Sequence, residues 1–158
     1  MTVRVSKAGA LAAFGHDHEI AAPVASGAVD AKAHTVEVRV RTGSLKVRDP
    51  NASEKDRGEI QSTMLGPQVL DAERYPEIAF QATSAEAGAA GSWTVRGDLT
   101  LHGQTRPVAV EVREEGGRYV GSARVKQSDF GIKPVKVAGG AVKVKDEVRV
   151  EFRIQLAQ

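Results

Sequence analysis

The segment WTVRGDLTLHGQTRPVAVEVREE, residues Trp93 to Glu115, decides the fold class of this chain. The segment contains two extended runs joined by His102–Thr105. These four residues predict a turn, in which Gly103 can adopt a positive φ at little cost. On both sides of that turn apolar side chains alternate with polar ones, as in a half-buried antiparallel strand pair; the apolar positions are Trp93, Val95, Leu99, Leu101, Val108, Val110 and Val112. The segment therefore predicts a β-hairpin with an inward apolar face and an outward polar face.

The composition is that of an ordinary globular chain, and we expect a single domain over residues 1–158. With 41% hydrophobic and 27% charged residues, the chain can bury one core and is short for two. Its net charge of +2, one Trp, two Tyr and four Phe argue against a nucleic-acid partner, which needs a basic stripe and stacking aromatics. The absence of cysteine excludes disulfides, thiolate metal sites and a cysteine nucleophile. No run approaches the roughly 20 apolar residues of a transmembrane helix.

Further extended runs predict strands outside the hairpin. They are Thr2–Lys7, Leu11–Phe14 leading into His18–Val29, Thr35–Arg41, Glu77–Glu86, Arg118–Lys126 and Ala141–Leu156. Pro23 interrupts the second run and indicates a bulge or an edge position. The total is about eight strands, which is the number that closes a small barrel. We therefore predict an all-β fold, a single eight-stranded antiparallel barrel.

A short helical insertion, about residues 53–71, departs from the all-β pattern. Ser53 is a plausible N-cap, the predicted helix covers Ser53–Leu65, and Gly66-Pro67 ends it before a second short turn through Leu70. Such a helix must bury its apolar side, and one end of the barrel is the natural place for it.

The interior of a barrel of this size is either filled by side chains or lined around one small ligand. Few inward residues are bulky, namely Phe80, Trp93 and Phe152, and this favours a narrow apolar tunnel. Burial in such a tunnel would bind an extended hydrocarbon at about 0.8 kcal/mol per CH₂. The alternative is a filled core in a ligand-free stress or interaction module, and it stays open because a pattern gives no volume.

The segment Gly15–Glu19 contains the strongest candidate for a metal site, because His16 and His18 point to the same side of a strand. A usable site needs a third ligand, for which His34, His102 and Glu19 are candidates. This pattern supports a metal-dependent enzyme or metal-binding protein as an alternative function. The other interpretation is that both histidines form hydrogen bonds at a strand start or a cavity mouth.

Catalytic motifs give no support for an enzyme. The chain has no Gly-x-Ser-x-Gly elbow, no P-loop and no Gly-x-Gly-x-x-Gly. Paired carboxylates at Glu114-Glu115 and Asp146-Glu147 fall in predicted turns or on outer faces, where solvation explains them better than acid–base work. We expect a non-enzymatic protein without a cofactor.

Three blocks of sequence resemble the YceI-like family: YPEIAF at Tyr75–Phe80, GDLTLHGQTRPV at Gly97–Val108 and SDFGI at Ser128–Ile132. The resemblance spans nearly the whole chain, and the middle block is the most specific. It implies an extended, lipocalin-like antiparallel barrel that binds polyisoprenoid lipids, such as ubiquinone-type or polyprenyl molecules, in a long tunnel, often in the periplasm.

We therefore predict that the protein binds, sequesters or transports an amphiphilic polyisoprenoid lipid, and that this lipid is its only bound group. The predicted ligand-binding residues are Phe14, His18, Ile20, Met64, Leu65, Val69, Leu70, Phe80, Trp93, Val95, Leu99, Leu101, Val110, Phe130, Ile132 and Phe152. If Met1 is the native start, the expected location is the cytoplasm; if a leader has been removed, it is the periplasm. Exposed strand edges would permit a homodimer.

Overall fold

The computed structural model describes residues 1–8, 17–30, 33 and 35–155. Within this part of the chain there are one α-helix and eleven strands, all paired antiparallel. The elements are β1 Thr2–Ala8, β2 His18–Ala21, β3 Ser26–Asp30, β4 Thr35–Arg41, β5 Lys46–Val47, α1 Glu54–Leu65, β6 Glu77–Ala87, β7 Ser92–Leu101, β8 Gln104–Glu115, β9 Arg118–Lys126, β10 Lys136–Val137 and β11 Val142–Ile154. The predicted strand Leu11–Phe14 lies outside the described residues.

Ten of the strands form one continuous sheet in the order β3-β4-β6-β7-β8-β9-β11-β1-β2-β5, and β10 pairs with β11 beside it. This order confirms the all-β antiparallel class and corrects the predicted number of eight strands. β5 and β10 have two residues each, too few to show alternation in a sequence. The predicted run His18–Val29 forms two strands, β2 and β3, because Pro23 lies in the link between them.

The sheet is strongly curled, and short links connect its two edges. Residues 22–25 run from β2, beside one edge, to β3 at the other edge, and residues 42–45 run from β4 back to β5. Each link covers five Cα steps, which span at most about 18 Å. The described residues form no ladder between β3 and β5, so these links hold the edges near each other where hydrogen bonds do not.

The predicted hairpin is present as β7 and β8, paired from Ser92↔Arg113 to Leu101↔Gln104. Its turn has two residues, His102 with φ 52° and Gly103 with φ 70°, where the sequence suggested four. Positive φ at both central residues is the geometry that matches the twist of the flanking strands.

Helix α1 begins and ends as the sequence predicts. The Ser53 hydroxyl accepts a hydrogen bond from the Asp56 N–H at 3.1 Å, and the helix ends at Gly66. The Gln61 side chain then fastens the helix to the sheet, because it accepts from the Val47 N–H at 2.8 Å and donates to the Leu45 carbonyl at 2.7 Å.

The helix distinguishes the two ends of the barrel. We call the end that carries α1, the turn His102-Gly103 and the 3-10 turn Gln127–Phe130 the helix end. The opposite end, with the β6–β7 turn at residues 88–91 and the β8–β9 turn at 116–117, is the hairpin end. Most of the buried core lies toward the helix end and comprises Ile20, Ala22, Val40, Leu45, Val47, Met64, Leu70, Val125, Phe130 and Ile132.

Candidate functional site

An apolar cavity of about 760 Å³ runs through the curled sheet. This volume lies within the range of roughly 300–1,000 Å³ that is usual for small-molecule sites. Aliphatic side chains from the inward faces of the strands form most of its wall, together with the rings of Phe80, Trp93, Tyr119 and Phe152. Apart from Trp93 and Tyr119, the polar residues along the described part of the wall are His18, Asp30, Thr35, Glu59, Thr63 and Gln127.

The structure brings most of the predicted ligand-binding residues together around this cavity. Those that line it are His18, Ile20, Met64, Val69, Leu70, Phe80, Trp93, Val95, Leu99, Leu101, Val110, Ile132 and Phe152. Whether they contact a ligand stays a prediction.

Three predicted site residues do not fall on the described wall. Phe130 is 1% exposed and packs in the core at the helix end, and Leu65 packs against the same core. The 3-10 turn and the end of α1 direct these two side chains into the packing behind the wall. Phe14 lies outside the described residues.

Sequence reasoning missed a large part of the wall. Inward valines of β1, β4 and β11 line the cavity, at Val3, Val5, Val36, Val38, Val40, Val144, Val148 and Val150. Their alternation with polar residues is visible in the sequence, particularly in β4 and β11. The missing information was that β1 lies between β11 and β2, which makes these strands one continuous wall.

Two phenylalanine rings cover glycines on the inward face of neighbouring strands. A Cβ built on Gly97 would lie 2.6 Å from Cζ of Phe80, and one built on Gly121 would lie 2.9 Å from Cε1 of Phe152. Each ring therefore occupies the space that a side chain on the glycine would need. Both rings line the cavity, and each can lie where it does because the residue beneath it is a glycine.

The polar partner of His18 is Asp49, in the link between β5 and α1. His18 Nδ1 lies 2.6 Å from Asp49 Oδ2, and Asp49 Oδ1 accepts from the Glu19 N–H at 2.7 Å. The side chain of Asp49 is 3% exposed and that of His18 is 20% exposed. A carboxylate this buried is stable only when it is hydrogen-bonded, and both of its oxygens have a partner here.

The part of the chain that the structure describes does not support the metal hypothesis. No three histidine or carboxylate side chains are grouped there in a way that could hold an ion. His18 Nδ1 faces Asp49, and His102 Nδ1 faces the Phe130 carbonyl at 3.0 Å. Of the other three candidates, Glu19 accepts a hydrogen bond from Arg4 at 2.9 Å, and His16 and His34 lie outside the described residues.

The three family-like sequence blocks meet at the helix end. The ring of Tyr75 lies 4.6 Å from that of His102, centroid to centroid, and His102 bonds to the Phe130 carbonyl. The Thr42 hydroxyl, which is 1% exposed as a residue, donates to the Tyr75 carbonyl at 2.6 Å. The most specific stretch of the sequence thus joins the turns that close this end, a structural role that spacing alone did not indicate.

Ion pairs and hydrogen bonds on the outside of the sheet perturb a few titratable groups. Arg4 bonds to Glu151 at 2.9 Å and to Glu19 at 2.9 Å, and the bond from Arg4 lowers the pKa of Glu151. The Ser128 hydroxyl donates to Asp146 Oδ2 at 2.5 Å, the Ser128 N–H donates to Oδ1 at 2.8 Å, and the hydroxyl bond chiefly lowers the pKa of Asp146. These groups lie on the outer face and at the helix end, away from the cavity wall.

One curled antiparallel sheet around an apolar cavity defines this protein as a lipocalin-like half-barrel. A family model described as YceI-like domain matches residues 3–156. The chain therefore belongs to the YceI-like family.

Curated relatives agree with this assignment. A UPF0312 protein of Vibrio cholerae is 34% identical over 129 residues, covering 75% of this chain and 62% of the relative. A UPF0312 protein of Pseudomonas syringae pv. tomato is 29% identical over 116 residues, covering 65% of this chain and 54% of the relative. The alignments thus span less than two thirds of the length of these relatives.

Solved structures share the fold. BcnA of Burkholderia cenocepacia has a TM-score of 0.59 at 19% identity, with 96% of this chain and 94% of that chain covered. The YceI protein of Campylobacter jejuni has a TM-score of 0.56 at 14% identity, with 85% and 78% covered. Along the described stretches of this chain, no helix has both the length and the apolar character needed to span a bilayer.

Proposed function

We propose that this protein is a non-enzymatic binding protein for a lipid with a long apolar chain of the polyisoprenoid type, which it sequesters or transports. The observation that carries the proposal is the cavity of about 760 Å³ with its mainly aliphatic wall. Burial against a wall of this kind contributes about 0.8 kcal/mol per CH₂. The affinity therefore rises with the length of the lipid chain, while the wall gives little directional selectivity. Membership of the YceI-like family, which is often linked to polyisoprenoid binding, supports the isoprenoid type.

Recovery of the bound lipid tests the proposal directly. Protein purified without detergent is extracted with organic solvent, and the extract is analysed by mass spectrometry. We expect an isoprenoid lipid in roughly stoichiometric amount, and an added isoprenoid quinone should change the fluorescence of Trp93, whose ring lines the cavity. An empty extract together with unchanged fluorescence would refute the proposal.

A pair of matched variants locates the binding in the cavity. Ala123 lines the cavity from β9, whereas Ala109 is an exposed residue on β8 opposite Arg96. Ala123→Phe should narrow the cavity and abolish or strongly reduce the recovered lipid, while Ala109→Phe should leave the yield unchanged. Equal yields from both variants would place the lipid outside the barrel.

A further inference from the structure

His18 and Asp49 form a hydrogen-bonded polar pair at the cavity. The binding of an apolar lipid chain proposed above does not involve this pair. His18 lines the cavity, while Asp49 lies behind it, outside the wall. With Nδ1 directed at Asp49, the opposite edge of the ring, which carries Nε2, is the edge left for the cavity. Within the described part of the chain nothing hydrogen-bonds to Nε2.

The hydrogen bonds at Asp49 determine which chemistry Nε2 offers. An ionised carboxylate has no proton to give, so at the 2.6 Å contact Nδ1 is the donor. In the neutral ring Nε2 is then an acceptor, and in the imidazolium it is a donor. A hydroxyl is the simplest head group that satisfies both states, because it can donate to the first and accept from the second.

A ketone or an ether can only accept, and a hydrocarbon does neither. Burial of the acceptor Nε2 of the neutral ring against such a group would leave a polar atom unpaired, which is costly in an apolar cavity; a ketone or an ether would satisfy only the imidazolium, and a hydrocarbon would satisfy neither state. Three other polar wall residues lie at this end: Glu59 and Thr63 of α1 are exposed, and the amide nitrogen of Gln127 is bonded to the Lys145 carbonyl at 2.9 Å. His18 is half-buried, and its Nε2 is the group that a head group in the cavity would have to satisfy.

We infer that His18, oriented by Asp49, binds the hydroxyl of a hydroxyl-terminated isoprenoid lipid, and that the lipid lies with its head at the helix end and its tail toward Trp93. The inference rests on the proposed lipid-binding function and adds the head-group class and the direction of the ligand. Tail burial then supplies most of the affinity, and His18 supplies the selectivity.

Three ligands that share one tail test the inference: geranylgeraniol, its methyl ether and the corresponding C20 hydrocarbon. Binding to the full chain is measured by calorimetry and by Trp93 fluorescence. We expect the alcohol to bind about tenfold tighter than the ether or the hydrocarbon, the size of one hydrogen bond.

The variant His18→Asn isolates the contribution of Nε2. Its amide nitrogen can replace Nδ1 as the donor to Asp49, so the buried carboxylate keeps its partner and the fold is preserved, while the group that faces the ligand is removed. We expect the alcohol to lose its advantage and bind like the ether. The control Ile20→Val, two residues along β2 on the same wall, should weaken all three ligands alike.

The outcomes separate the inference from the function on which it rests. If the alcohol and the ether bind wild-type protein equally, or if the preference survives in His18→Asn, the head-group inference is wrong and the lipid-binding proposal stands. If none of the three ligands binds, both are wrong.

Discussion

The helix end and the hairpin end of the barrel differ in packing and in chemistry. At the helix end Phe130 is 1% exposed and Met64 is 6% exposed, and His18, which is bonded to the buried Asp49, faces the cavity. At the hairpin end Trp93 and Tyr119 are half-buried with ring centroids 6.2 Å apart, and Val29 on the edge strand β3 is 47% exposed.

This difference indicates a division of labour between the two ends of the cavity, one for the stability of the fold and the other for the capture of the ligand. The helix end has the side-chain packing and the hydrogen bonds that resist deformation, whereas the hairpin end has partly exposed aromatic and aliphatic groups and no helix among its described residues. Stability should therefore depend mainly on the helix end, and ligand capture mainly on the hairpin end.

The largest expected effect is the contrast between Phe130→Ala and Trp93→Ala. Phe130 fills a fully buried position, so its truncation should lower the free energy of unfolding by about 3–5 kcal/mol. Trp93 borders the cavity and is half-buried, so its truncation should cost less stability but weaken lipid binding. Urea unfolding and lipid titration of both variants measure the two effects, and equal loss of stability would refute the division of labour.

An intermediate effect is expected at the glycines beneath the phenylalanine rings. A Cβ on Gly121 would collide with Phe152 and the Glu111 carbonyl, and one on Gly97 with Phe80 and the Gln81 carbonyl, so each Gly→Ala change should destabilise by about 1–3 kcal/mol.

The matched control for these two variants is Gly58→Ala in the middle of α1. Nothing lies within 4 Å of a Cβ built there, and alanine is the better helix former by about 1 kcal/mol. This variant should unfold at higher urea concentration than wild type. Destabilisation of all three variants by the same amount would mean that close packing at Gly97 and Gly121 is not the cause.

The smallest expected effect is a pH dependence at the helix end. The Ser128 hydroxyl lowers the pKa of Asp146 in the folded protein, so this bond stabilises the fold above the ordinary aspartate pKa of about 4 and the contribution disappears as the pH falls through the lowered folded pKa. Ser128→Ala should therefore cost below about 1 kcal/mol near pH 7, because solvent screens a group so close to the surface, and this cost should decrease as the pH is lowered from 7 toward 2.

Unfolding of Ser128→Ala and wild type across this pH range checks the prediction. In an Asp146→Asn background the same substitution should have an effect that does not vary with pH. A pH-dependent difference that persists there would assign the effect to another carboxylate.

Local patterns in the sequence predicted the local elements well. The β7–β8 hairpin followed from alternation and Gly103, and α1 followed from the N-cap at Ser53, because both signals lie within a few residues of the structure they specify. The family-like blocks supported the fold class for the same reason: they are contiguous.

The sequence pattern could not predict the packing of residues that are far apart in the chain. Asp49 lies 31 residues from His18 and nothing in its surroundings marks it as a partner. Phe130 and Ile132 are both apolar, two residues apart and part of the buried core, yet only Ile132 also lines the cavity. Such outcomes depend on which turns close the barrel, and this is decided by contacts such as that between His102 and the Phe130 carbonyl.

The pairing of β1 with β11, from Thr2↔Glu151 to Ala8↔Lys143, also determines the order in which the molecule can assemble. β1 leaves the ribosome before the other strands that the structure describes, but its ladder to β11 cannot form until that strand has been synthesised. Contacts of such large sequence separation slow folding, because the intervening chain must be ordered before they form. The cavity wall at β1 is therefore completed only after β11 has been synthesised, and a nascent chain truncated before β11 would present the inward valines of its unfinished wall to solvent.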